Sequence, residues 1–195
     1  MRRTLGLTSL LIVLSLCAGC ARTVPPDDLG PIGDFSLTER DGQTVTNADL
    51  AGKVWVASFV FTRCTGPCPQ ISGTMARLQQ ELPAEVVLVT ITADPDRDDA
   101  DELKKYAEQF GADPERWLFL TGPRDAIRGL SEKGFHLALG EDRGEIMHST
   151  KLVLVDRRGH IRGYYDGRSV DDIGQPVDEV PTVKRAVADL LRESP

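Results

Sequence analysis

The sequence predicts one α/β domain, a mixed central sheet with helices packed against its faces. Three observations carry that expectation. Val54-Trp55-Val56-Ala57-Ser58-Phe59-Val60-Phe61 and Val86-Val87-Leu88-Val89-Thr90-Ile91 are continuous apolar runs, the pattern of strands covered on both sides. Each gives way to a helical pattern, so the order is strand–helix–strand–helix. A third apolar run, Lys151-Leu152-Val153-Leu154-Val155, meets the turn Asp156-Arg157-Arg158-Gly159 and returns from His160 to Tyr165 as an antiparallel hairpin.

The elements follow in chain order. Residues 1–19 have the anatomy of an export signal: Arg2 and Arg3, then an apolar core from Leu10 to Leu16 that is too short to span a bilayer. Small residues precede Cys20 as in a bacterial lipoprotein signal, in which that cysteine is lipidated and becomes the mature N-terminus; an ordinary secretory signal cut near Ala18 or Ala21 is the other reading. Either way the domain is exported. Residues 20–33, rich in Pro, Gly and Asp, read as a tether, and 34–195 as the domain. Asp34 to Thr38 alternates as a short strand; Asp41-Gly42 turns it, and Gln43-Thr44-Val45 returns. Asn47 to Leu50 is one helical turn, stopped at Gly52.

From Pro69 a helix places Ile71, Met75, Leu78 and Leu82 on one stripe and ends at Pro83. Asp94-Pro95-Asp96-Arg97-Asp98 is a turn, with Asp98 to Asp101 a solvated helix start. The next helix carries Leu103, Tyr106, Ala107 and Phe110, closed by Gly111. Trp117 to Leu120 is a short strand, and a helix with Ile127 and Leu130 follows. Phe135 to Leu139 reads as extended, Gly140 to Ser149 as a polar loop, and Asp178 to Ser194 as a closing helix. A right-handed crossover makes the first two long strands parallel, and the late hairpin adds an antiparallel edge. That is a thioredoxin-like layout with an extra N-terminal hairpin and an insertion near residues 94–138.

Composition narrows the function. The formal net charge is −7 without a basic cluster, which argues against a nucleic-acid partner. Loss of residues 1–19 takes Arg2 and Arg3 but no acid, so a lipid rather than charge would hold the chain at a membrane. Of four cysteines, Cys17 leaves with the signal and Cys20 takes the lipid, so Cys64 and Cys68 remain as thiols. A disulfide between them closes a very small loop and contributes little chain entropy, which weakens the structural-staple reading.

Cys64 and Cys68 sit where a strand ends and a helix begins. Four apart, they share one face once the helix forms. The partial positive charge and free N–H groups of a helix N-terminus favour thiolate, which is both nucleophile and metal ligand. Where a thioredoxin has a cis-proline facing its cysteines, this chain has Gly144-Glu145-Ile146-Met147-His148-Ser149-Thr150, offering His148. Two thiolates and an imidazole suit copper; zinc in a closed structural site takes a fourth ligand. Asp94 is a candidate to orient His148 by a hydrogen bond, or simply a turn-forming Asp-Pro. His136 reads as a packed or edge residue, His160 as exposed, and Met147 as packing on the face opposite His148. Disulfide exchange by Cys64 and Cys68 alone stays open as a second function class. A thiol peroxidase would need Thr-x-x-Cys, and Thr62 is only two before Cys64.

Phe-Thr-Arg-Cys-x-x-x-Cys-Pro, then Asp94-Pro95-x-Arg97-Asp98 after a strand, then a lone His148 before Lys-Leu-Val-Leu-Val-Asp, resembles the Sco/SenC family over roughly residues 30 to 192. The resemblance implies a membrane-anchored thioredoxin-fold protein on the periplasmic or outer side of a bacterial cell membrane. It implies one copper ion held by Cys64, Cys68 and His148. It also implies a role in assembling the dinuclear copper centre of cytochrome c oxidase, with the copper-bearing subunit or another copper or thiol protein as partner. Some members act instead as thiol–disulfide reductases. Thr65 departs from the family, many of whose members have proline directly after the first cysteine; the ligands are untouched.

Overall fold

In the computed structural model, residues 27–142, 145–171 and 173–193 are described; the signal segment, Cys20 and the start of the tether lie outside them. The chain runs β1 (Ser36–Glu39), β2 (Thr44–Thr46), α1 (Asn47–Leu50), β3 (Trp55–Val60), α2 (Cys68–Glu81), β4 (Val87–Thr92), α3 (Ala100–Gln109), β5 (Trp117–Thr121) and α4 (Arg124–Gly129). A π-helical turn (Leu130–Gly134), β6 (Leu139–Asp142), β7 (Glu145–His148), β8 (Lys151–Val155), β9 (Ile161–Asp166) and α5 (Val180–Arg192) complete it. Seven strands form one mixed sheet in the order β2-β1-β5-β4-β3-β8-β9, in which β3, β4 and β5 are parallel and the other pairings antiparallel. The fold is the expected thioredoxin-like one. The segment expected as an insertion, near residues 94–138, supplies α3 and the parallel strand β5, to which the N-terminal hairpin β1–β2 is joined.

Both faces of β3 are buried, and alternate residues serve different cores. Val54, Val56 and Val60 face the apolar stripe of α2 (Ile71, Met75, Leu78) together with α3 and α5. Trp55, Ala57 and Phe59 face Ile127, Leu130 and Phe135 from α4 and the π-helical turn. This two-sided burial is why the strand reads as an unbroken apolar run. Ser58, wholly buried within it, hydrogen-bonds Thr90 Oγ1 at 3.1 Å; Thr90 in turn accepts the indole N–H of Trp117 at 2.9 Å, so the polar atoms inside the sheet are paired.

Four sequence expectations change. Helix α2 begins at Cys68, so Cys64 lies in the preceding loop and not on the helical face. Residues 135–138 are not extended: the chain leaves the π-helical turn through exposed His136 at φ +53°, and strand geometry starts only at Leu139. The polar stretch after it is a β-hairpin, β6 with β7, pairing Leu139 with His148 and Gly140 with Met147. Its few apolar residues leave a weak alternation signal. The end of the tether is docked rather than free: Leu29 N–H and Ile32 N–H donate to the carbonyls of Ile161 and Gly159 at 2.9 and 3.0 Å, and Ile32 is buried.

Gly167 follows β9, where the chain passes close to α2. A Cβ there would lie 2.8 Å from the Thr150 carbonyl oxygen and 3.2 Å from Cγ1 of Ile71. A backbone oxygen cannot swing aside, so Gly167→Ala is expected to destabilise by about 1–3 kcal/mol. Urea unfolding checks this; an unchanged midpoint would contradict the packing described.

Candidate metal centre

The antiparallel pairing of β3 with β8 decides which residues meet. Trp55 lies opposite Val155 and Ala57 opposite Val153, so the start of β8 comes to the end of β3. Cys64 follows β3, Cys68 opens α2, and His148 closes β7 just before β8. At the end of β3 the chain makes a tight turn in which Cys64 N–H donates to the Phe61 carbonyl at 3.2 Å. Loop geometry, not helical repeat, therefore brings Cys64 back toward Cys68.

The two sulfurs and a ring nitrogen of His148 lie within 4.8 Å of one another, the one such cluster found among the described residues. Cys68 Sγ is 3.2 Å from His148 Nε2. His148 Nδ1 is 2.9 Å from the Ser149 carbonyl oxygen. A carbonyl only accepts, so Nδ1 carries the proton and the neutral ring keeps the Nε2 lone pair facing the sulfurs. The ring of Phe61 meets the imidazole edge-to-face at 5.6 Å. Cys64 and Cys68 are free thiols, Cys68 wholly buried and Cys64 half-buried.

The thiols differ in acidity. Burial alone would raise the Cys64 thiol, but its contacts with the His148 ring and the Cys68 side chain, and the backbone N–H groups of Cys68 and Gly66, outweigh it and bring it down to about 7. Deeper burial, then the contact with Cys64, pushes the Cys68 thiol well above the usual range. Cys68 thus keeps its proton and donates it to the Cys64 thiolate.

Other candidates are placed elsewhere. Asp94 is not the group that orients His148: Ser149 holds Nδ1, and the nearly buried Asp94 carboxylate pairs with Arg97 Nη1 at 3.5 Å. Burial pushes the Asp94 carboxyl up, with Arg97 opposing. His136 is exposed and away from the cluster, while His160 is half-buried with Nδ1 2.9 Å from Asp28. Met147 does point away from His148 along β7, but it is 60% exposed and packs on no core. Asp98, expected to be solvated, is buried and takes three hydrogen bonds from Thr62 and Thr92. A run of acids ahead of a helix conceals such a residue, since nothing local distinguishes the one that turns inward.

The fold and the cluster together define a thioredoxin-like dithiol protein with a soft Cys2His donor set. The chain belongs to the SCO1/SenC family, whose model matches residues 26–180. The SCO1 protein homolog of Bacillus subtilis (strain 168) is 33% identical over 189 residues, 92% of this chain and 97% of that protein. Among solved structures, a SCO1/SenC family lipoprotein from Bacillus anthracis (strain Ames) matches with a TM-score of 0.76 at 29% identity, over 87% of this chain and 100% of that one. BsSco, a member of the Sco family of cytochrome c oxidase assembly proteins, matches at 0.73 and 26%, over 86% and 98%. Arabidopsis thaliana ScoI, solved with copper bound, matches at 0.66 and 24%, over 83% and 98%, a likeness that speaks for the fold.

The acidity difference is directly measurable. Thiolate fraction grows as pH rises through the pKa, so iodoacetamide should label Cys64 first, with a half-maximal rate near pH 7, while buried Cys68 stays unlabelled. His148→Ala removes a ring contact that lowers the Cys64 thiol and should move that midpoint upward. A wild-type midpoint near the unperturbed ~8.5 would contradict the arrangement.

Proposed function

We propose that this protein binds one copper ion through Cys64, Cys68 and His148 and serves in assembling the dinuclear copper centre of cytochrome c oxidase. The observation that carries the proposal is the cluster itself: two sulfurs and a nitrogen with its lone pair directed inward, all within 4.8 Å. The donor set fits copper. Thiolates are soft, imidazole suits Cu(I) and Cu(II), and zinc in a closed structural site takes four ligands where three converge among the described residues. Membership of a family whose member BsSco is described as an oxidase assembly protein supports the cellular role. The partner is then the copper-bearing subunit of the oxidase, or another copper or thiol protein. Copper is cargo: Cys64 is open enough for exchange, while Cys68 and His148 are held by the scaffold.

A second reading, a thiol–disulfide reductase, is favoured by the acidity difference between the thiols. A half-exposed, acidic Cys64 is suited to attack a partner disulfide, and buried Cys68 to resolve the mixed disulfide. The two readings part at His148, which a third copper ligand requires and disulfide exchange does not.

Copper titration of the reduced protein should saturate at about one ion. Cu(II) should give intense sulfur-to-copper charge-transfer absorption. His148→Ala leaves two sulfurs, which Cu(I) tolerates and Cu(II) does not, so Cu(II) affinity should fall much more than Cu(I) affinity. Weak d–d bands alone would sink thiolate ligation. In a deletion strain, His148→Ala and Cys64→Ser should both fail to restore oxidase; normal oxidase with His148→Ala alone would select the reductase.

The reading includes export and anchoring through a lipid on Cys20. The lipoprotein from Bacillus anthracis supports it. Cys20→Ser should release the protein from membranes into the soluble fraction. Continued membrane association with the signal demonstrably removed would count against lipidation.

A further inference from the structure

We propose that Asp98 is a positioning residue for the metal centre: it clamps the turn that carries Cys64 and so holds the Cys64 thiol in register with Cys68 and His148. The inference rests on the copper reading for its consequence, but not for the clamp itself. Asp98 is 1% exposed at the end of the segment between β4 and α3. Its Oδ2 accepts the backbone N–H of Thr62 at 3.0 Å and the Thr92 hydroxyl at 2.6 Å; its Oδ1 accepts the Thr62 hydroxyl at 2.6 Å. One carboxylate thus ties the last residue of β4 to the loop after β3, and grips Thr62 by both backbone and side chain.

Thr62 is a central residue of the turn closed by Cys64 N–H on the Phe61 carbonyl. Phe61, on its other side, stacks edge-on against His148, and its backbone N–H is directed at the Cys68 thiol. The clamp therefore lies between Phe61, which touches His148 and Cys68, and Cys64 itself. The Thr62 and Thr92 contacts are the only hydrogen bonds of the Asp98 side chain among the described residues, and no cation pairs with it there. A buried carboxylate is costly to hold without hydrogen bonds, and hydrogen bonds to a charged group are stronger than neutral ones. Neither packing nor helix capping accounts for it, since Asp99 is the residue that caps α3.

Substitution separates the hydrogen bonds from the charge. In Asp98→Asn the amide oxygen can take the Oδ2 position and the NH2 can donate to the Thr62 hydroxyl, so all three bonds survive without the charge. Asp98→Ala loses all three. The first readout is amide hydrogen exchange of residues 62–66 in the reduced, metal-free protein: about tenfold or more faster in Asp98→Ala, near wild type in Asp98→Asn. The second is the sulfur-to-copper band and Cu(II) affinity: a shifted band and about tenfold or greater weakening in Asp98→Ala, restored to within about threefold in Asp98→Asn. Unchanged exchange in Asp98→Ala would overturn the clamp. Faster exchange with unchanged copper spectrum and affinity would overturn its positioning role, as would equal copper loss in both variants. If Asp98→Ala does not fold, Thr62→Val, which deletes one of the three bonds, should move both readouts the same way by a smaller factor; no movement would overturn the proposal. Failure of the wild type to bind copper would sink the proposed function and leave the exchange measurement to decide the clamp.

Discussion

The Cys68 sulfur and His148 Nε2 are 3.2 Å apart although eighty residues separate them in sequence, and this juxtaposition depends on one pairing in the sheet. Antiparallel β8 beside β3 brings the start of one strand to the end of the other. Shifting that register by one residue would turn every side chain of β8 to the opposite face, burying the wrong set and displacing the β7 end that carries the histidine. Burial on both sides of β3 and β8 makes such a slip costly. The two thiols and the imidazole are therefore positioned by the same apolar packing that stabilises the domain.

Within that frame, short-range hydrogen bonds set the chemistry. The Ser149 carbonyl chooses the tautomer of His148 and so decides which ring nitrogen is available. Depth and local contacts decide the acidity of the thiols: Cys64 is half-buried with several groups directed at it, while Cys68, at the start of α2, is wholly buried in the core. The same pair can serve copper transfer or disulfide exchange because both need one accessible thiolate beside a protected sulfur. What distinguishes the roles is the third donor, and it arrives on a separate two-stranded hairpin rather than on the main sheet.

The buried Asp98 network shows how the open side of such a site can be restrained without adding apolar mass. The loop between β3 and α2 must leave Cys64 accessible, so it cannot be packed away. A carboxylate reaching in from the β4–α3 connection holds it from behind. Asp94, four residues earlier in the same connection, was the more conspicuous candidate in sequence, yet its side chain serves the local turn through Arg97.

The amino-acid sequence by itself determined the elements whose signal is local: the double-sided strands β3, β4 and β8, the apolar stripe of α2, and the hairpin that turns at residues 156–159. It also marked the Cys64–Cys68 pair and, through the motif order, His148. It could not show that residues 135–138 coil, that the hairpin β6–β7 forms from weakly alternating residues, or that residues 29–32 dock on β9, because each depends on partners distant in the chain. Nor could it distinguish Asp94 from Asp98. Both are acids in one turn, and only the tertiary structure, by placing Thr62 and Thr92 around one of them, decided which became the buried anchor.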